Sequence, residues 1–138
     1  VFNGNLTVQN ISVANITVNG KIITAGNAPQ VVTGTAAGAE DILNNVAAPM
    51  VQITGNDTSG TITVVAGANT TADELAKVTF NVPFTNKPRV VFSPANRDSA
   101  RVGAYYDESS TTNTSFSIMV DEPPVAGKTY TFTYFIVE

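Results

Sequence analysis

The chain has 138 residues, a net charge of −4 and no His, Cys or Trp; 43% of its residues are apolar and only 13% are charged. That length can bury a core and the apolar share argues against disorder, while the acidic balance leaves no basic stripe for a nucleic-acid backbone or an anionic membrane surface. Lack of Cys rules out disulfides and thiolate metal sites, lack of His removes the commonest general base and metal ligand, and no apolar run nears the roughly 20 residues that span a bilayer.

Residues 1–24 open the chain with a repeat. Pentads begin at Asn5, Asn10 and Asn15, each with Leu or Ile second, Thr or Ser third and Val fourth, and Gly20–Thr24 follows with Ile22 and Ile23. Within a pentad the apolar residues lie two apart (Leu6 and Val8, Ile11 and Val13, Ile16 and Val18), so in a strand they share a face. The step between pentads is odd, so one continuous strand would switch its apolar face at every repeat. The segment reads as an extended β-forming arm that needs a partner surface, because an isolated strand is not stable in water. A local alternative is a first hairpin turning at Val18-Asn19-Gly20-Lys21.

Residues 25–45 are rich in Gly and Ala and contain Pro29. They read as a linker, with one helical turn expected at Ala39–Asn45. From Val46 to Glu138, short β-branched and aromatic runs alternate with turn signals. The expected strands are Met50–Thr54, Gly60–Ala66, Ala76–Val82, Arg89–Ser93, Arg101–Tyr106, Ser115–Val120 and Thr129–Val137. Asn96-Arg97-Asp98 and Asp107–Thr112 are among the turns expected between them. Val78, Phe80 and Val82 should share one face, as should Tyr130, Phe132, Tyr134 and Ile136. The apolar end Phe135-Ile136-Val137 should be central in a sheet or covered by another chain. The fold class is therefore all-β: an antiparallel sandwich of jelly-roll or immunoglobulin-like type at 46–138, preceded by the arm.

The runs from Ile53 to Val137, ITGNDTSGTITVVAG, LAKVTFNVPFTNKPRVVFSPAN, GAYYDESSTTNTSFSIMV and AGKTYTFTYFIVE, resemble a C-terminal module of bacterial, phage-fibre-like and candidate-phylum surface proteins. There the module tends to follow a repetitive stretch such as the LTV and GKIIT units. The resemblance covers most of the chain and implies a β-sandwich on an extracellular fibre or stalk, often oligomeric. It carries no functional residue across.

Chemistry-bearing groups are sparse. Asp73-Glu74, Asp107-Glu108 and Asp121-Glu122 are acidic pairs, but none has the spacing of a calcium loop, and solvated turns account for them. Carboxylates alone would have to support catalysis, and no motif surrounds them, so an enzyme, a metal and a cofactor are not expected. Tyr105 and Tyr106 beside Asp107 and Glu108 form the candidate ligand-binding pair, although strand alternation alone would bury one Tyr and expose the other. Sequons stand at Asn5, Asn10, Asn15, Asn56, Asn69 and Asn113. Lys21, Lys77, Lys87 and Lys128 would form an isopeptide bond only if one were buried beside Asn and a carboxylate.

These readings converge on an extracellular or surface structural subunit, cellular or viral, whose partners are copies of itself. Leu6, Val8, Ile11, Val13, Ile16 and Val18 are the expected subunit contacts, made by strand donation. The alternative is a trimeric fibre tip that binds a surface glycan or receptor through Tyr105 and Tyr106.

Overall fold

Strand β8 (Thr129–Val137) shows most plainly why this sequence folds as it does. Its period of two buries Tyr130, Phe132, Tyr134 and Ile136 and turns the intervening Thr residues, Phe135 and Val137 outward, as the alternation predicts. The computed structural model describes residue 4 and residues 6–138. Among these lie two four-stranded antiparallel sheets packed as a β-sandwich.

One sheet contains β2 (Met50–Gly55), β3 (Ser59–Val65), β5 (Arg89–Pro94) and β8, in the order β2-β3-β8-β5. The other contains β1 (Gln30–Thr33), β4 (Glu74–Thr79), β6 (Tyr105–Tyr106) and β7 (Ser115–Met119), in the order β1-β4-β7-β6. Ile62, Val64 and the inward face of β8 meet Ala76, Val78, Phe116 and Ile118, all nearly inaccessible to water. Aromatic rings of the two layers meet where Phe116 and Tyr134 have centroids 5.8 Å apart, and after β4 Phe80 meets Phe84 edge-on at 4.9 Å. β8 is central, as expected of its apolar end, yet Phe135 and Val137 remain half-exposed on the outer face beside Val91.

Four expectations are corrected. The linker at 25–45 instead holds β1, paired with β4 from Gln30↔Thr79 to Thr33↔Ala76, and a 3-10 turn (Thr35–Ala37) whose Ala36 and Ala37 are fully buried. Its small residues mark close packing. A Cβ at Gly34 would overlap the Glu74 carbonyl, so the poverty in large side chains reflects backbone approach and not a tether. The helical turn at Ala39–Asn45 is instead a tight loop closed by an Asp41–Val46 bridge, with the Asp41 carboxylate accepting the Asn44 backbone N–H and Nδ2.

The strand expected at Ala76–Val82 begins and ends earlier, at Glu74–Thr79. A bulge between Glu74 and Ala76 buries both Leu75 and Ala76. Beyond Phe80 the chain leaves the sheet, because the Asn81 and Val82 N–H groups donate to the Asp57 carboxylate at 2.9 Å each, and Val82 is exposed. The strand expected at Arg101–Tyr106 survives only as the two residues of β6; Arg101 ends a short helix α1 (Arg97–Arg101), and Val102 and Gly103 turn the chain after it. Asn96 caps that helix, its Oδ1 accepting the Ser99 N–H at 2.8 Å and the Ser99 hydroxyl at 2.6 Å.

Candidate functional site

The arm joins the sandwich at one corner. Asn56 follows β2 in the β2–β3 turn, and its Oδ1 accepts the N–H groups of Thr58 at 2.9 Å and Ser59 at 3.1 Å, the arrangement that lets Asn start a tight turn. Its Nδ2 donates to the Thr24 Oγ1 at 3.0 Å, and Thr24 shares a 2.8 Å hydrogen bond with the Ser59 hydroxyl. Next door, Asp57 holds the chain after β4, while Asn81 Nδ2 donates to the carbonyls of Asn27 and Ala28 at 2.9 Å each. These bonds fix the chain from Thr24 to Ala28 against the sandwich.

Ahead of Thr24 the arm shows no strand among its described residues, and Leu6, Val8, Ile11, Val13, Ile16 and Val18 are 46–69% exposed. The first pentad's Asn5 lies outside the described residues. The expected interface residues are thus brought together along one segment, but among the described residues none of them joins or packs against the buried core.

The sheets have open edges that sequence reasoning did not locate. Asn56 N–H donates to the Ser59 carbonyl at 2.9 Å, and this single backbone bond sets the phase of the ladder. Counting back through the register Thr54↔Thr61 and Ile53↔Ile62, antiparallel alternation turns the N–H and C=O groups of Val51 and Ile53 away from β3. No other described segment pairs with them. Their side chains pack on the core only partly buried.

The tyrosine pair behaves as alternation dictates. Tyr105 pairs with Met119 and is exposed, while Tyr106 pairs with Ile118 and packs against the core. The acceptors beside them are already engaged. Asp107 accepts the Ser109 hydroxyl at 2.7 Å and the Ser110 N–H at 3.2 Å, and these bonds, the Ser109 hydroxyl first, hold its carboxyl below the usual range. Glu108 pairs with Lys87 at 2.5 Å on the surface. Tyr105 and Tyr106 therefore do not converge on one ligand.

Other candidate chemistry disperses as well. Among the described residues no three Asp or Glu side chains gather where a cation could sit. Lys21, Lys77, Lys87 and Lys128 are all exposed, so none has the burial that isopeptide formation needs. The Asn56 sequon amide is buried and hydrogen-bonded to Thr24, whereas Asn10, Asn15, Asn69 and Asn113 are exposed. A cleft of about 330 Å³ lies between Val46, Ala47, Met50, Val65 and Ala126 beside the exposed Ile42-Leu43 tip. Asn45 is the one polar side chain in its lining, too few to orient a small ligand.

Compared with protein-family models, curated proteins and solved structures, the chain has no match.

Proposed function

We propose that the protein is an extracellular structural subunit that assembles with copies of itself through its N-terminal arm. The observation that carries this reading is the exposure of Leu6, Val8, Ile11, Val13, Ile16 and Val18 on an uncharged segment moored to a sandwich with unpaired strand edges. Regular apolar spacing on a segment that stays outside the buried core calls for a second surface, and an open edge supplies hydrogen bonds to an incoming strand. Thr, Asn and Ser between the apolar residues suit close packing, since few charges need desolvation. A surface location and a place on a fibre or stalk rest on the resemblance of the Ile53–Val137 runs to surface-protein modules.

Removal of residues 1–20 tests the reading and spares the Thr24 anchor. The truncated chain should keep its β-sheet circular dichroism and run as a monomer by light scattering, while the full chain forms larger species. Equal oligomers from both chains would sink the reading. The fibre-tip alternative rests on Tyr105, which is exposed but lacks a free carboxylate partner among its neighbours Asp107 and Glu108.

A further inference from the structure

Assembly through the arm leaves the accepting surface to be identified, and the four sheet edges are not equivalent. We propose that the acceptor is the free edge of β2, and that its occupant is one pentad from the arm of a second copy; this rests on the assembly reading above. Three of the edges are blunted. β5 begins with Arg89 and ends with Pro94, β1 has four residues directly after Pro29, and β6 has two residues. Charge, Pro and shortness are the devices that keep edges from pairing with other chains. β2, Met50–Gly55, has six residues with no charge and no Pro.

The chemistry of that edge matches a pentad. Val51 and Ile53 direct their unpaired N–H and C=O groups outward, and their half-buried side chains point to the core at the flank where β1 packs across from β2, so an added strand would also lie beside β1. A pentad brings two apolar residues, i and i+2, on one face, with Thr or Ser between them on the other. Ile11 and Val13 would continue the inward row beside Val51 and Ile53, and Ser12 would lie outside with Gln52. The odd step to the next repeat reverses the face, so one edge accommodates one pentad and the neighbouring pentads remain for other contacts. Five residues of strand span about 17 Å against about 20 Å for β2.

Charge points to the same pairing. Residues 6–20 contain no charged side chain and neither does β2, so the contact desolvates no ion. The occupant is a second copy because the arm of a single chain leaves Leu6 to Val18 exposed and unpaired.

The chain has no Cys, which makes cross-linking direct. Ser12→Cys and Gln52→Cys chains are purified separately, mixed where the unmodified protein assembles, and oxidised. The expected product is a covalent dimer joining positions 12 and 52, identified by peptide mass. Parallel mixtures use Ser93→Cys on β5 and Val32→Cys on β1 in place of Gln52→Cys. Cross-linking to position 93 or 32 instead of 52, or to none while light scattering still shows assembly, overturns the β2 edge and leaves the assembly reading standing. A chain carrying both Ser12→Cys and Gln52→Cys is oxidised alongside, and a 12–52 bond that forms there only within single chains overturns the second copy as occupant. No assembly of the unmodified protein at any concentration overturns the assembly reading itself.

Discussion

The Tyr134 hydroxyl donates to the Asn56 carbonyl at 2.6 Å, a buried bond between residues 78 apart in the chain. It joins the central strand of one sheet to the turn that moors the arm, since the same Asn56 engages Thr58, Ser59 and Thr24 through its side chain. Asn56→Ala removes all three side-chain contacts and leaves the part-buried N–H groups of Thr58 and Ser59 without their acceptor. The expected cost is about 2–3 kcal/mol by chemical denaturation, with faster proteolysis ahead of Gly26. Asn56→Asp keeps the acceptor toward Thr58 and Ser59 and can accept the Thr24 hydroxyl in place of donating to it, but it buries a carboxylate beside Asp57. It should therefore also destabilise, by about 1–3 kcal/mol, with less cleavage ahead of Gly26 than Asn56→Ala.

The same tyrosine makes stability depend on alkaline pH. Burial, and to a lesser degree the nearby Asp57 carboxylate, pushes the Tyr134 hydroxyl up to about 12. Burial also raises Tyr130, whose oxygen accepts the Val125 N–H at 2.7 Å. A folded-state pKa above the unfolded value of about 10 means the unfolded chain gives up its proton first. The stabilisation is therefore complete below pH 10 and is lost as pH rises toward 12, by something on the order of 2 kcal/mol from Tyr134. Urea midpoints between pH 8 and 12 should fall along this course. Tyr134→Phe should be less stable at pH 8 by about 1–2 kcal/mol, through the orphaned Asn56 carbonyl, yet show a shallower fall above pH 10.

Gly34 tests whether residues 25–45 are part of the sandwich. A Cβ at this position would overlap the backbone carbonyl of Glu74, and strand pairing leaves that carbonyl little room to move. Gly34→Ala should lose upward of about 2 kcal/mol, of the order seen when tight interiors are overpacked. Gly20→Ala, where an added methyl meets nothing within 4 Å, should change stability by less than about 0.5 kcal/mol. If the two variants have equal melting temperatures, β1 is not packed as described.

These residues also show what was legible before the structure. Period-two alternation placed β8 and β7 well, and a short β-branched run placed β2, because apolar residues turned to the core leave a direct trace in residue type. It failed where another force set the conformation. Gly34, Ala36 and Ala37 look like linker residues because backbone proximity selects small side chains as strongly as flexibility does. The helix after Asn96 did have a local signal, an Asn cap with Ser three residues on, but Arg97 and Asp98 made it look like a turn. Val82 continues the apolar alternation of Val78 and Phe80, and only the distant Asp57 carboxylate draws it off the sheet. For the candidate site, the apolar arm was legible from its pentads. The free edge of β2 was not, since an edge is defined by the absence of a neighbour and strand order is set by contacts far apart in the chain.

The arm itself offers the clearest separation of stability from assembly. Ile11 and Val13 are each 57% exposed, so replacing both by Asp removes little native packing. The unfolding free energy of dilute protein should change by less than about 0.5 kcal/mol, as for surface positions generally. Assembly should respond strongly. Burying either side chain at an interface is worth about 1.5–3 kcal/mol when complete, and a carboxylate forced into that contact adds a desolvation penalty. A combined loss of about 3 kcal/mol raises the concentration needed for assembly roughly 100-fold. Ser12→Asp, on the opposite face of the same pentad, should raise it far less. Light scattering across a dilution series separates the outcomes: equal effects from the two faces would mean that the pentad's apolar side is not what binds.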